Sequence, residues 1–125
     1  MCMDMIDNRV KKLVAYKQRY GWKVFKADIG DTLYFEYQSY NRSAVVPRGK
    51  WITTKKRTCV WVENKQKLHK STPYPLRFHV YLRRPETIYS HRSYIVVKKV
   101  RWSGPVATGY QDGLPVVVAN KIKVG

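Results

Sequence analysis

Leu76-Arg77-Phe78-His79-Val80-Tyr81-Leu82-Arg83 alternates between apolar and polar or amphipathic side chains without a break. Successive side chains of an extended chain point to opposite faces. Leu76, Phe78, Val80 and Leu82 therefore line one face, and Arg77, His79, Tyr81 and Arg83 the other. This is the pattern of a half-buried strand, and it makes a sheet with an apolar face the frame of the fold. Downstream, Pro85 opens a short turn through Ser90, and Ser93 to Trp102 reads as a long strand with Tyr94, Val96, Val100 and Trp102 on one side. A turn over Gln111 to Pro115 then precedes the apolar run Val116 to Ala119, which is expected to be buried.

Upstream of this strand the pattern is also that of sheet and turns. Trp22 to Ala27 forms a strand, Asp28-Ile29-Gly30-Asp31 a turn, and Leu33, Phe35 and Tyr37 alternate with Tyr34, Glu36 and Gln38 in a second strand. A polar loop fills 39–48. Two short strands, Lys50 to Thr54 and Thr58 to Glu63, flank Lys55-Lys56-Arg57 as a basic hairpin tip. Residues 64–75, polar and basic with two prolines, are expected as a mobile loop. The opening segment carries helical spacing: Asp4 or Asp7 as cap, Ile6, Val10, Leu13 and Val14 on one stripe, Lys17 and Arg19 in the last turn, Gly21 as the left-handed end. The expected fold is one α+β domain over residues 1–125, an N-terminal helix packed on a twisted, mostly antiparallel sheet that can curl into a half-barrel.

The charge is the second strong signal. Lys and Arg number 25 against 8 Asp and Glu, a formal net charge of +17. Self-repulsion on that scale destabilises a compact chain unless a partner offsets it, and strongly basic domains have the electrostatic footprint of nucleic-acid binding. Three basic zones carry it. One is Lys55, Lys56 and Arg57 with Arg48 and Lys50 before them; Trp51 and Trp61 beside it read as core or as stacking platforms. The second is Lys65, Lys67, His69 and Lys70. The third is the strand face of Arg77, His79, Tyr81 and Arg83, continued by Arg84, Arg92, Lys98, Lys99 and Arg101. Cations interleaved with an aromatic on one sheet face can neutralise phosphates and stack bases.

Signatures of enzymes are weak by comparison. His69, His79 and His91 show no metal-ligand spacing, and no Gly-rich phosphate loop, paired-carboxylate motif or nucleophile elbow occurs. A metal-independent ribonuclease built on His79, Tyr81 and Arg83 with His91 is the enzymatic alternative. No cofactor or metal is called for. Cys59 sits in an apolar run as a small buried hydrophobe, and Cys2 lies at the terminus, so the expected compartment is a reducing cytoplasm. No signal-peptide pattern or apolar run near ~18 residues occurs, and no membrane partner is expected.

Gly21-Trp-Lys-Val-Phe-Lys, Arg77-Phe-His-Val-Tyr-Leu-Arg and Val106-Ala-Thr-Gly-Tyr-Gln-Asp-Gly-Leu-Pro-Val-Val-Val-Ala resemble segments of small uncharacterised proteins of tailed bacteriophages, in separate pieces across residues 21–124. That resemblance implies an anti-defence factor, including the anti-CRISPR type, whose partner is a host nuclease or a ribonucleoprotein with its guide RNA. The strand order also resembles a reduced ADP-ribosyltransferase core. Glu36, Glu63 and Glu86 fall in no matching motif, so that activity is not carried over. The leading expectation is a non-enzymatic protein that binds nucleic acid, RNA or single-stranded DNA before duplex, by charge and stacking.

Overall fold

The computed structural model describes residues 3–10, 19–27, 30, 32–35, 45–53, 58–85 and 95–125. They form nine strands: β1 (Met5–Ile6), β2 (Tyr20–Ala27), β3 (Leu33–Phe35), β4 (Trp51–Thr53), β5 (Cys59–Asn64), β6 (Lys70–Pro75), β7 (Phe78–Tyr81), β8 (Ile95–Gln111) and β9 (Leu114–Val124). Neighbours run β3-β2-β7-β9-β8-β1-β5-β6, and β4 lies along the end of β9. Among these strands every pairing is antiparallel except β1 with β5. Because β8 also pairs β2 over its first half, the ladder β2-β7-β9-β8 closes on itself. Gly104, at φ +69°, and a register shift between Pro105 and Ala107 mark the bend that lets one long strand serve two neighbours.

Two apolar cores lie on opposite faces of this ladder. Phe25, Phe78, Val80, Leu82, Val100, Trp102, Val117, Ala119, Ile122 and Val124 fill the first. Val24, Tyr81, Val116 and Val118 face the second, which Met3, Ile6 and Tyr74 close from the β1-β5-β6 side. A strand covered on both faces has no solvent side, which is why Val116 to Ala119 is an unbroken apolar run. Asp112 and Gly113, both at positive φ, make the tight turn between β8 and β9.

These observations correct the α+β expectation: among the described residues there is no α-helical element, only a 3-10 turn over Lys65–Lys67. Met5 and Ile6, expected in a helix, are a strand inserted between β8 and β5, where both of its edges find ladder partners. Gly21, expected as a helix end, lies inside β2 opposite Val100, where a Cβ would stand 2.5 Å from the Tyr81 carbonyl oxygen. Leu13, Val14 and Lys17 lie outside the described residues.

Three other elements differ from expectation. Lys50–Thr54 and Thr58–Glu63 do not pair as a hairpin: β4 joins β9, while β5 joins β6 and β1. The expected mobile loop at 64–75 is the end of β5, a 3-10 turn and β6, the last in full register with β5. Cys59 is exposed, because the register that turns Val60 and Val62 toward the core turns Cys59 and Trp61 outward. No described helix is long and apolar enough to cross a membrane, which says nothing of spans built from strands.

Asp7 fastens the β5–β6 pair to β8. Its carboxylate is 1% exposed and accepts from Arg9 Nε and Nη2 at 3.1 Å and from Gln66 Nε2 at 2.6 Å. Its backbone N–H donates to the Thr108 carbonyl, and Gln66 Oε1 in turn accepts from Asn8 N. The Arg9 guanidinium holds the Asp7 carboxyl at about 2, despite the opposing effect of burial. A carboxyl lowered in the folded state stabilises above the ordinary carboxylate range, and that contribution disappears as pH falls from roughly 4 toward 2. Asp7→Asn is expected to cost about 2 kcal/mol at neutral pH, with the difference from the unaltered protein closing in that acid window, as read from urea unfolding. Gly109, opposite Ile6, has no room for a side chain because a Cβ would run into the Met5 carbonyl. Gly109→Ala should lower the urea midpoint by the equivalent of about 1–3 kcal/mol.

Candidate nucleic-acid interface

At the end of the sheet away from the β8–β9 turn, four strands lie side by side and their register aligns four side chains. Tyr20 of β2 is opposite Arg101 of β8, Arg101 is opposite Lys123 of β9, and Lys123 is opposite Trp51 of β4. Opposed residues of an antiparallel ladder share a face, with Cβ atoms about 4.5–5.5 Å apart. The reverse face here is core, since Val100, Trp102, Ile122 and Val124 are buried. The row Tyr20-Arg101-Lys123-Trp51 must therefore face outward, and its two aromatics are 42% and 48% exposed. A second row, Ser103-Lys121-Thr53, runs beside it and is exposed throughout.

Further cations gather round these rows. Lys99 Nζ stands 4.1 Å from the Tyr20 ring centroid, and Arg19 Cζ 5.8 Å from that of Trp102. Arg48 bridges to Val124 and Gly49 N donates to the Val124 carbonyl, which brings Arg48 and Lys50 to the same end of β9. Arg19, Tyr20, Trp51, Arg101, Trp102 and Ser103 line a cleft of about 360 Å³. The Trp102 indole N–H behind it is buried without a hydrogen-bond partner.

Carboxylates are distributed the other way. The described acids are Asp4, Asp7, Glu63 and Asp112. Asp4 accepts from Asp112 N at the β8–β9 turn, Asp7 pairs beside Thr108, and Glu63 is opposite Met5. All four sit at the far end of β8 from Arg101. The open end is thus a cationic and aromatic face with no described acid in its rows.

Of the residues expected from sequence, Arg48, Lys50, Lys99 and Arg101 come together here. Lys98 lies on the other face of β8, half-buried and opposite Lys23. Lys65, Lys67 and Lys70 are exposed at the β5–β6 tip, which packs by the Gly109 end of β8, so they belong to a separate surface. There Lys65 Nζ is 4.0 Å from Asp7, and His69 Nδ1 is 3.0 Å from Glu63. Lys55, Lys56, Arg57, His91 and Arg92 lie outside the described residues.

The β7 face is not the open cationic strip its alternation suggested. Tyr81 is buried in the second core and donates to Asp112 Oδ2 at 2.9 Å. His79 is half-buried behind Tyr74, Arg77 is half-buried with Nη1 on the Leu76 carbonyl, and Arg83 and Arg84 are exposed just past the strand. Alternation reports which residues share a face; it does not report that a further layer covers that face. Arg19, Tyr20, Lys121 and Lys123 were missed. For Lys121 and Lys123 the signal was the change from Val-Val-Val-Ala to Asn-Lys-Ile-Lys-Val along β9, where two-sided burial becomes one-sided; Arg19 and Tyr20 had no such local signal. Set against protein-family models, curated proteins and solved structures, the chain matches none.

His79 serves structure. Met3 N donates to the Tyr74 hydroxyl, which lies 2.9 Å from His79 Nε2, and Lys23 Nζ donates to the His79 carbonyl. Burial, then the Lys23 charge, pushes the imidazole down to about 3. A group so low is not poised for acid–base work near neutrality and brings no charge to a phosphate. Between the usual histidine range and pH 3 the unfolded chain takes up a proton that the folded one refuses, so stability falls as pH falls through that window. An NMR titration of the imidazole should show the neutral ring down to roughly pH 4; an imidazolium forming near pH 6 would refute this placement.

Proposed function

We propose that this protein binds nucleic acid without chemistry, through the outward face formed by β2, β8, β9 and β4, with RNA and other single strands favoured over duplex. The observation that carries the reading is the aligned row Tyr20-Arg101-Lys123-Trp51, two cations held between two half-exposed aromatics in rows without a described acid. Each cation that meets a phosphate releases condensed counterions, and Arg101 adds a bidentate, stacking-capable guanidinium. The net charge of +17 supplies long-range attraction to any polyanion, and the rows localise it. A sheet face that carries exposed aromatics beside cations suits single strands, whose unpaired bases can stack on it.

The test is anisotropy of labelled single-stranded RNA, single-stranded DNA and duplex DNA across a salt series, using nuclease-treated protein. Affinity should fall steeply with salt. Replacing both Arg101 and Lys123 by Ala should flatten the log–log slope on single strands by about 1.4, two contacts at about 0.7 each. An unchanged slope would remove the row from the binding site. Absence of binding to all three, even at low salt, would redirect the cationic face to an acidic protein surface or a ribonucleoprotein.

A further inference from the structure

Resting on that reading, we infer that the cleft beside Trp51 captures one unpaired base by stacking on the Trp51 indole, so that the site requires an unpaired base and not only a run of phosphates. Trp51 is 48% exposed on β4, a short strand whose named pairing is with β9 alone. Among the described residues no ring or cation is seated on it, whereas Lys99 covers the Tyr20 ring and Arg19 the Trp102 ring. An indole left half in water is an unsatisfied apolar surface, and the face of a base is a ligand that covers it without demanding a particular sequence.

The surroundings fit one nucleotide. The cleft, about 360 Å³, lies at the lower end of the ~300–1,000 Å³ range of small-ligand sites, enough for one base with its sugar. Its walls are the aromatic side chains Tyr20, Trp51 and Trp102, and its polar groups are Arg19, Arg101 and Ser103. The guanidinium groups match the phosphates that flank a captured base. The row itself spans three interstrand steps of about 4.8 Å, or ~14 Å from Tyr20 to Trp51, so a strand crossing it passes Lys123 and Arg101 in turn. A duplex offers this cleft nothing beyond its phosphates, since its bases are stacked on their neighbours and paired at their edges.

The experiment uses the full chain and four probes: a short labelled single strand made as RNA and as DNA, the same strand with abasic positions and an equal number of phosphates, its duplex, and a free nucleoside monophosphate. The base-bearing strand should bind about 5- to 150-fold more tightly than the abasic one. Trp51→Ala should erase that difference by lowering the base-bearing strand alone, with salt slope and abasic affinity unchanged. Trp51→Phe should keep most of it. The monophosphate should bind far more weakly than the strand. Equal binding of base-bearing and abasic strands, or equal losses on both with Trp51→Ala, overturns base capture while leaving the phosphate-binding face standing. A monophosphate as tight as the strand overturns it too, in favour of a small-molecule site. If no strand binds, the nucleic-acid reading itself falls, and base capture with it.

Discussion

The fold depends on one strand being buried on both sides. Val116 and Val118 of β9 face the core closed by Met3, Ile6 and Tyr74, while Val117 and Ala119 face the core around Phe25, Phe78 and Val100. Such a strand needs ladder partners at both edges and apolar layers on both faces. β7 and β8 supply the edges, the closure of β8 onto β2 supplies one layer, and the β1-β5-β6 unit supplies the other. The tie through Asp7 and Gln66 is what holds that second layer at the Gly109 end of β8.

The outer layer covers only the first part of β9. Beyond Ala119, Asn120 and Lys121 are both exposed, and the inward series resumes with Ile122 and Val124 on the same core as Ala119. From there one face is open, and it receives Lys121 and Lys123, with Arg101 and Ser103 from β8 and Trp51 from β4. The candidate site is thus a consequence of where a packing layer stops. The distribution of charge follows the same division. Asp4, Asp7 and Asp112 hold the covered end together through directed hydrogen bonds, and no described acid lies in the rows of the open end.

What could be read from the sequence follows from which patterns are local. The alternation at Leu76 to Leu82, the strand through Val96, Val100 and Trp102, the Asp112-Gly113 turn and the buried run at Val116 to Ala119 depend on neighbours in the chain. The expected helix is overturned at its start, because Ile6 satisfies another arrangement: it enters one core from a two-residue strand, while Val10 enters the other core. Spacing cannot separate these cases when the strand is so short. The exposed β7 face failed for a related reason, because burial of His79 and Tyr81 is imposed by Tyr74, Met3 and Asp112, which are distant in register or sequence. Half of the site was visible as cations at Arg48, Lys50, Lys99 and Arg101. Its other members became neighbours only through pairings of β2 and β4 that no local pattern specifies.

Exposure of an aromatic ring does not by itself make a binding platform, and the two outward tryptophans illustrate this. Trp61 is the more exposed, at 65%, yet it stands opposite Pro73 on the β5–β6 ribbon, with Cys59 and Glu63 two residues away along its own strand. Glu63 is already engaged by His69, and its charge would repel a phosphate. Trp51 is less exposed but has Lys123 directly opposite, Arg101 one strand further, Lys50 before it and a cleft at its side. A base needs a face to stack on, but a nucleotide also brings phosphate that must be neutralised within reach of that face. Only the surroundings of Trp51 meet both demands among the described residues, which is why the less exposed tryptophan is the better candidate.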